Sequence, residues 1–174
     1  PSKWTYDLGT TDIFGNFGWG NQEAQSYTSN AENVIVENGS LKITAIKDGN
    51  DYTSARIKTQ GRYSFTYGRV EVRAKLPAAQ GTWPAIWMLG SNHPTAGWPY
   101  SGEIDIMEQR GNDKSYVEGT CHWYNTAGGN NASYGETASI DTPSSEFHLY
   151  TVEWSESAVK IYLDDVKYYE LPNS

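Results

Sequence analysis

Three acidic residues, Glu103, Asp105 and Glu108, lie in one short segment in which aliphatic residues separate them. Such alternation is typical of a β-strand, where residues two apart share a face, so Glu103 and Asp105 should point to the same side. Strict alternation would then place Met107, and not Glu108, on that side. The sequence therefore predicts a β-bulge near Met107 that returns Glu108 to the face of the other two acids.

Three carboxylates on one strand face repel one another, so we expect them to retain at least one proton between them near neutral pH. Such a cluster can hydrolyse a glycoside with retention of configuration. One ionised carboxylate attacks the anomeric carbon, and one protonated carboxyl about 5 Å away protonates the leaving oxygen. The same acids could instead form a solvent-facing strand surface or bind Ca²⁺, although EF-hand spacing is absent. The pattern alone leaves these alternatives open.

Aromatic residues make up 14% of the chain, with 7 Trp, 13 Tyr and 4 Phe. Most of these rings combine a flat apolar face with a polar group and can stack on sugars. They are also ordinary core and edge-strand residues of β proteins. Their number alone therefore does not identify a binding site.

The elements that would position these residues are short strands bounded by Gly, Asn, Asp and Pro. They are predicted at residues 34–36, 41–46, 68–76, 101–108, 116–124, 147–154, 159–163 and 166–169. Helical periodicity is not sustained anywhere in the sequence, which favours an all-β fold, an antiparallel β-sandwich of the jelly-roll type. The Gly-, Asn- and Ser-rich segments 9–30 and 126–139 are predicted to be surface loops.

Charge and composition exclude several function classes. The net charge is −8 and Lys and Arg do not cluster, so nucleic acid is not an expected partner. Apolar runs fall short of the roughly 20 residues that span a bilayer, so no membrane association is expected. The single cysteine, Cys121, provides neither an intrachain disulfide nor a cysteine metal cluster and leaves the compartment undecided.

The acid segment 103–108 resembles the signature of glycoside hydrolase family 16 in its bulged form, and segments 67–74 and 81–89 resemble strands of the bacterial laminarinases in that family. The similarity runs from about Trp19 to Asp165. It implies a jelly roll with a concave substrate cleft and endo-hydrolysis of β-1,3-glucan (laminarin), extending to mixed-linkage β-1,3/1,4-glucan. It implies no cofactor for catalysis. A noncatalytic β-glucan-binding sandwich module is the alternative.

By that resemblance Glu103 is the nucleophile, Glu108 the general acid/base, and Asp105 the residue that holds and tunes Glu103. Substrate-binding residues are predicted from matched cleft positions and from the strand face that should lie beside the acids. They are Trp83, Trp87, Trp98, Arg73, Thr120, His122, Tyr124 and Asn33, with further contacts from Asn21 and Glu23. Cys121 should face the core.

Catalytic domains of the family continue past the point where this chain stops. We therefore expect residues 1–174 to be a single catalytic domain that lacks its C-terminal strands, which also supply one ligand of a structural Ca²⁺ on the convex face. The resemblance implies a polysaccharide partner. A monomer that is secreted, periplasmic or at the cell surface is expected, since such a polymer cannot cross a membrane intact.

Overall fold

The computed structural model describes residues 2–173, which fold mainly as β-strands. The chain divides into two compact units, one ending at Ser64 and the other beginning at Phe65. The all-β prediction is confirmed: the described part of the chain contains one α-helix of four residues, α1 (His93–Ala96), and one 3-10 helix of three residues (Gly18–Gly20). In that same part, no helix is long and apolar enough to cross a membrane.

The first unit contains seven of the described strands, each of which is three or four residues long. They are β1 (Thr5–Asp7), β2 (Gln25–Tyr27), β3 (Val34–Glu37), β4 (Ser40–Ile43), β5 (Ile46–Asp48), β6 (Asp51–Ser54) and β7 (Arg56–Lys58). The pairs β1–β7, β3–β4 and β5–β6 are antiparallel. However, β2 and β6 run parallel, which departs from the antiparallel prediction. The strand predicted at 41–46 is interrupted between β4 and β5, and β2 lies within the predicted loop 9–30.

The second unit is a sandwich of two antiparallel sheets. Its described strands are β8 (Gly68–Ala74), β9 (Ala85–Leu89), β10 (Glu103–Glu108), β11 (Tyr116–Asn125), β12 (Asn130–Ser139), β13 (His148–Trp154), β14 (Ala158–Leu163) and β15 (Val166–Pro172). One sheet has the order β12-β11-β10-β9 and the other has the order β15-β14-β13-β8.

The predicted loop 126–139 is wrong for residues 130–139, which form β12. This strand pairs with β11 along its whole length, from Asn125 opposite Asn130 to Tyr116 opposite Ser139. Its Gly-, Asn- and Ser-rich composition has weak intrinsic strand preference, but pairing with a neighbouring strand outweighs that preference.

The core of the second unit lies between its two sheets. Apolar side chains that are 0–1% exposed come from both sheets: Ile106, Met107 and Val117 from the first, and Tyr150, Val152, Ile161 and Tyr169 from the second. Cys121 packs in the same core, as predicted. Because the inner faces of both sheets contribute, the sheets bury their apolar sides against each other. Ile106 and Met107 anchor β10 in this core.

We expect Ile161→Ala to lower the free energy of unfolding by about 2–5 kcal/mol, because it removes a fully buried aliphatic side chain from this core. Urea denaturation followed by tryptophan fluorescence measures the change. Val166→Ala is the matched control, since Val166 is 69% exposed, and its effect should stay within about 0.5 kcal/mol. Equal stability of the two variants would contradict this description of the core.

Candidate active site

Strand β10 contains the bulge that the sequence predicts. Its register against β11 slips between Asp105 and Glu108, and its register against β9 slips between Asp105 and Met107. The bulge turns Ile106 and Met107, two successive residues, into the core, where each is 1% exposed. Glu108 consequently returns to the face occupied by Glu103 and Asp105.

Neighbouring strands place further side chains on this acid face, defined as the face of the first sheet that carries the three acids of β10. Residues directly opposite each other in antiparallel strands share a face. The partners of Glu103, Asp105 and Glu108 are, in that order, His122, Thr120 and Glu118 on β11, and Leu89, Trp87 and Ala85 on β9. The structure thus brings together the acids and the predicted residues Trp87, Thr120 and His122.

The carboxyl group of Glu103 is close to that of Asp105, which is 2% exposed. Burial, together with the charge of Asp105 and a hydrogen bond with it, raises the pKa of Glu103 to about 8. The charge of His122 and a hydrogen bond from Trp98 act in the opposite direction. Glu103 therefore holds its proton more tightly than an ordinary glutamate, because it is buried beside a second carboxyl group.

His122 supplies a compensating positive charge beside this pair. Its Nε2 atom lies 3.2 Å from Oδ2 of Asp105, an ion-pair distance. The interaction with Asp105 raises the pKa of His122, while partial burial lowers it. The imidazolium form is therefore favoured on the acid face, where it stabilises negative charge on Glu103 and Asp105.

Glu108 has a different environment from Glu103. Its Oε1 atom accepts a hydrogen bond of 2.8 Å from Nε1 of Trp83. Burial and the charge of Asp105 raise the pKa of Glu108 to about 7, and the charge of Glu118 adds to this, whereas Trp83 and Arg110 lower it. A carboxyl group that titrates near neutral pH can both donate and accept a proton during one reaction cycle.

Trp83 is held between Glu108 and Arg110. The Arg110 guanidinium lies 4.6 Å from the centre of the Trp83 ring, within the range of a cation–π interaction. The backbone of the segment that follows β10 fixes this arrangement, because Gly111 donates a hydrogen bond of 2.7 Å to the carbonyl of Thr82. A Cβ atom at Gly111 would lie 2.8 Å from that same carbonyl oxygen, so the close approach requires glycine.

The other predicted aromatic residues border the acid face at the Glu103 end. Trp98 lies 6.0 Å from His122 between ring centres and is 47% exposed. Tyr124 stacks on Tyr100 with ring centres 4.3 Å apart. Aromatic rings together with a few convergent polar groups are typical of a ligand-binding site.

Arg73 was predicted to lie near the nucleophile, and the structure contradicts this. Arg73 is on β8, in the opposite sheet, where alternation turns Val72 and Ala74 towards the core and Arg73 to the outer face. Its guanidinium lies 4.2 Å from the ring centre of Phe147. The prediction identified the correct strand but not the direction in which the side chain points.

Asn33 was predicted to contact sugar, and its burial is inconsistent with that role. The residue is 0% exposed, and its amide nitrogen donates to the carbonyl of Thr44 and to Oγ1 of Thr53 at 3.1 and 3.0 Å. Its carbonyl oxygen accepts a hydrogen bond of 2.6 Å from Thr28. Asn33 therefore joins three segments of the first unit.

Asn21 and Glu23, the two further predicted sugar contacts, hydrogen-bond within the first unit. Glu23 accepts hydrogen bonds of 2.5 Å from Tyr27 and 2.7 Å from Gln25, and Asn21 donates a longer one of 3.4 Å to Glu23. Contact of either residue with sugar stays a prediction.

Three residues of the site were not predicted. Glu118 lies two residues before Thr120 on β11, and Arg110 lies two residues after Glu108. The two-residue alternation that predicted Thr120 and His122 could therefore have revealed both. Tyr100 lies outside the strands, and its contact with Tyr124 depends on the loop conformation. The sequence contains no comparable signal for it.

Among residues 2–173, no group of three or more His, Cys, Asp or Glu side chains is arranged to hold a metal ion. The reading of the acidic strand as a Ca²⁺ site is therefore not supported. The structural Ca²⁺ that the resemblance implies stays a prediction.

Comparisons with known proteins agree with this geometry. The sequence matches glycosyl hydrolases family 16 over residues 21–174. A β-glucanase from Rhodothermus marinus is 44% identical over 99% of this chain and 60% of its own length. Glucan endo-1,3-β-glucosidase A1 from Niallia circulans is 38% identical over 99% of this chain and 27% of its own length. This chain thus spans less than two thirds of either relative.

A solved structure shows the same fold. The laminarinase from Flavobacterium sp. UMI-01 aligns with a TM-score of 0.89 and 43% identity over 99% of this chain and 73% of that chain. Because the family match covers most of the chain and includes the acid strand, the chain belongs to glycosyl hydrolase family 16.

Proposed function

We propose that the protein is a retaining endo-β-1,3-glucanase of the laminarinase type that also accepts mixed-linkage β-1,3/1,4-glucan. The observation that carries this proposal is the bulged strand β10, which places Glu103, Asp105 and Glu108 on one face beside exposed tryptophans. The names of the two curated relatives, a β-glucanase and an endo-1,3-β-glucosidase, support the substrate class.

In the first step, protonated Glu108 donates its proton to the glycosidic oxygen while the Glu103 carboxylate attacks the anomeric carbon. The bond to the leaving glucan breaks and an ester bond to Glu103 forms. The charge of His122 and the hydrogen bond from Trp98 favour the ionised form of Glu103 that makes this attack. Asp105 is a positioning residue that hydrogen-bonds to Glu103 and lies beside His122.

In the second step, ionised Glu108 takes a proton from a water molecule as that water attacks the anomeric carbon. The bond between this carbon and Glu103 breaks, Glu103 leaves as a carboxylate, and Glu108 regains its proton. Two successive inversions give net retention of configuration. The pKa of Glu108, about 7, suits a group that acts as acid and then as base near neutral pH.

The first test is release of reducing sugar from laminarin, mixed-linkage glucan and agarose by the purified chain and by its Glu103→Gln variant. We expect laminarin cleavage by the parent chain alone, with the first product formed as the β-anomer by NMR. A chain that is folded by circular dichroism yet releases no sugar would overturn the proposal. Retention of that chain on immobilised laminarin would then favour the noncatalytic β-glucan-binding module.

The alkaline limb of the pH profile should respond to the neighbours of Glu108. Glu118→Gln removes a negative charge that raises the pKa of Glu108, so Glu108 should lose its proton at lower pH and the alkaline limb of kcat/KM should move to lower pH. Trp83→Phe removes a hydrogen bond that lowers the same pKa, so it should move this limb to higher pH.

The opposite signs of these two shifts make the test specific for Glu108. Glu156→Gln, at an exposed turn between β13 and β14, removes one negative charge elsewhere and should leave the limb in place. Shifts in the same direction for Glu118→Gln and Trp83→Phe would show that another group controls the alkaline limb.

The proposed substrate also places the protein outside the cytoplasm, as a secreted, periplasmic or cell-surface monomer. A polysaccharide cannot cross a membrane intact, so the enzyme has to meet it outside. Fractionation of the producing cells and light scattering of the purified protein test the location and the monomeric state.

A further inference from the structure

The bulge in β10 has a counterpart in the opposite sheet of the second unit. Two adjacent residues of β14 lie opposite Tyr169 and Lys167 of β15, so Tyr168 is the extra residue of a second bulge. This bulge turns two successive tyrosines, Tyr168 and Tyr169, towards the core between the two sheets. Because bulges re-aim side chains, the direction of Tyr168 requires an explanation.

Tyr168 reaches across the core to the bulge of β10. Its hydroxyl donates a long hydrogen bond of 3.4 Å to the carbonyl oxygen of Ile106. Within the described sheet, Ile106 is the residue of β10 that pairs with neither neighbouring strand. Burial raises the pKa of Tyr168, and interactions with Tyr150 and Glu118 add to this. The hydroxyl therefore keeps its proton and remains a hydrogen-bond donor in the pH range in which the acids titrate.

The residue opposite the β10 bulge is a glycine. Gly119 on β11 is the single residue that faces Ile106 and Met107, the two residues of the bulge. A Cβ atom at Gly119 would lie 2.8 Å from the hydroxyl oxygen of Tyr168 and 2.8 Å from Cδ1 of Ile161. Any larger residue would displace the tyrosine, because the core is close-packed. Gly119 thus provides the space in which Tyr168 contacts the bulge.

The bulge decides where Glu108 lies relative to Glu103. Glu103 and Asp105 precede the bulge and keep regular pairing with both neighbouring strands. Glu108 follows it and returns to the acid face only because an extra residue is accommodated. Cleavage with retention needs the two carboxyl groups about 5 Å apart. A shift of the bulge would therefore move the proton donor and leave the nucleophile in place.

We propose that Tyr168 is a positioning residue for the reaction: it holds the bulge of β10 and thereby keeps Glu108 in register with Glu103. Gly119 leaves the space that this contact needs. The proposal rests on the proposed function, because it takes the roles of the two acids from there. Tyr168 points into the core, on the side of the sheet away from the acid face, so it acts through the position of Glu108.

The first test compares two tyrosines that are adjacent on β15. Tyr168→Phe removes the hydroxyl and keeps the ring, and we expect kcat on laminarin to fall about three- to tenfold with KM unchanged. Tyr169→Phe is the matched control, because it removes a buried hydroxyl that donates at 3.2 Å to the carbonyl of Tyr134 on β12. It should shift the urea midpoint by a similar amount and keep parental kcat.

A second readout separates positioning of Glu108 from a general loosening of the site. Azide attacks the ester on Glu103 without a general base, and a dinitrophenolate leaving group needs no proton, so neither step uses Glu108. In the Glu108→Ala background, the azide-supported turnover of a dinitrophenyl glycoside should therefore be the same with and without Tyr168→Phe. A three- to tenfold loss in that background would overturn the proposal, because Tyr168 would then act on more than Glu108.

The outcomes separate this inference from the proposed function. If the parent chain cleaves laminarin and Tyr168→Phe keeps parental kcat, the positioning role is wrong and the hydrolase proposal stands. An equal loss of kcat in Tyr169→Phe would likewise overturn the role, because any lost core hydroxyl would then have the same effect. If the parent chain releases no sugar from laminarin, both proposals fail. Circular dichroism checks that each variant is folded.

Discussion

Replacing Glu103 with alanine should lower kcat on laminarin by about 10⁴-fold or more, because the variant lacks the carboxylate that forms the covalent intermediate. The remaining acids do not substitute for it. Asp105 is buried and held beside His122, and Glu108 is hydrogen-bonded to Trp83. Reducing-sugar release at matched protein concentration measures the loss.

The same variant gives a sharper result when azide is supplied. Azide can enter the space left by the Glu103 carboxylate and attack the anomeric carbon from that side, so an activated glucoside should yield a glucosyl azide of inverted configuration. NMR of the product distinguishes the anomers. An azide product of retained configuration would exclude Glu103 as the nucleophile, even if activity is lost. Glu71→Ala, at an exposed acid on β8, is the control and should keep parental kcat.

The acid strand shows why part of the site could be predicted from sequence alone. An apolar Met107 on the acid side of a strict alternation conflicts with burial of apolar residues, and a bulge is the simplest way to remove that conflict. The structure confirms the bulge in the pairings on both sides of β10. The local sequence pattern was therefore sufficient to predict which face of the strand each side chain occupies, because the polarity of the residue decides that face.

Pattern was insufficient where pairing partners are distant in sequence. Strand β12 is poor in strand-forming residues and exists because it pairs with β11 throughout. The parallel pairing of β2 with β6 joins two segments that have three other strands between them in the sequence. Turn residues next to either strand do not indicate such a pairing. In both cases the decisive interactions are hydrogen bonds between strands, which the one-dimensional pattern of a segment does not contain.

Arg73 and Asn33 illustrate two different reasons for wrong site predictions. For Arg73 the resemblance was given more weight than alternation, although apolar Val72 and Ala74 on either side already indicated an outward-facing side chain. For Asn33 the sequence offered no such correction, because its partners Thr44 and Thr53 become neighbours only after folding. Polar residues near a motif can therefore be structural even when they match the family.

The protonation of the acids could be predicted only in part. The sequence indicated that the cluster retains a proton, since like charges lie on one face. It did not indicate that Glu108 also faces Glu118 and a tryptophan donor, with Arg110 nearby. Those neighbours come from three segments, and their opposing effects determine where Glu108 titrates.

Replacing Glu108 with alanine should slow the cleavage of laminarin and of a dinitrophenyl glycoside in different ways. The difference identifies Glu108 as the general acid/base. On laminarin, kcat should fall about 10²- to 10⁴-fold, because the leaving glucan no longer receives a proton. A dinitrophenyl glycoside has a leaving group that needs no proton, so its first step should stay fast and its second step should become slow. Stopped-flow detection of dinitrophenolate should then show a burst followed by slow turnover.

Azide should accelerate the slow turnover of the Glu108→Ala variant, because it attacks the ester on Glu103 without needing a base. The resulting glucosyl azide should have retained configuration, opposite to the product of the Glu103→Ala variant. Glu118→Gln is the matched control: it changes an acid opposite Glu108 on β11 but leaves the proton donor in place, so it should show no burst. Equal losses on laminarin and on the dinitrophenyl glycoside would exclude Glu108 as the acid/base. The two azide products together test whether the acids on either side of the β10 bulge divide the chemistry as proposed.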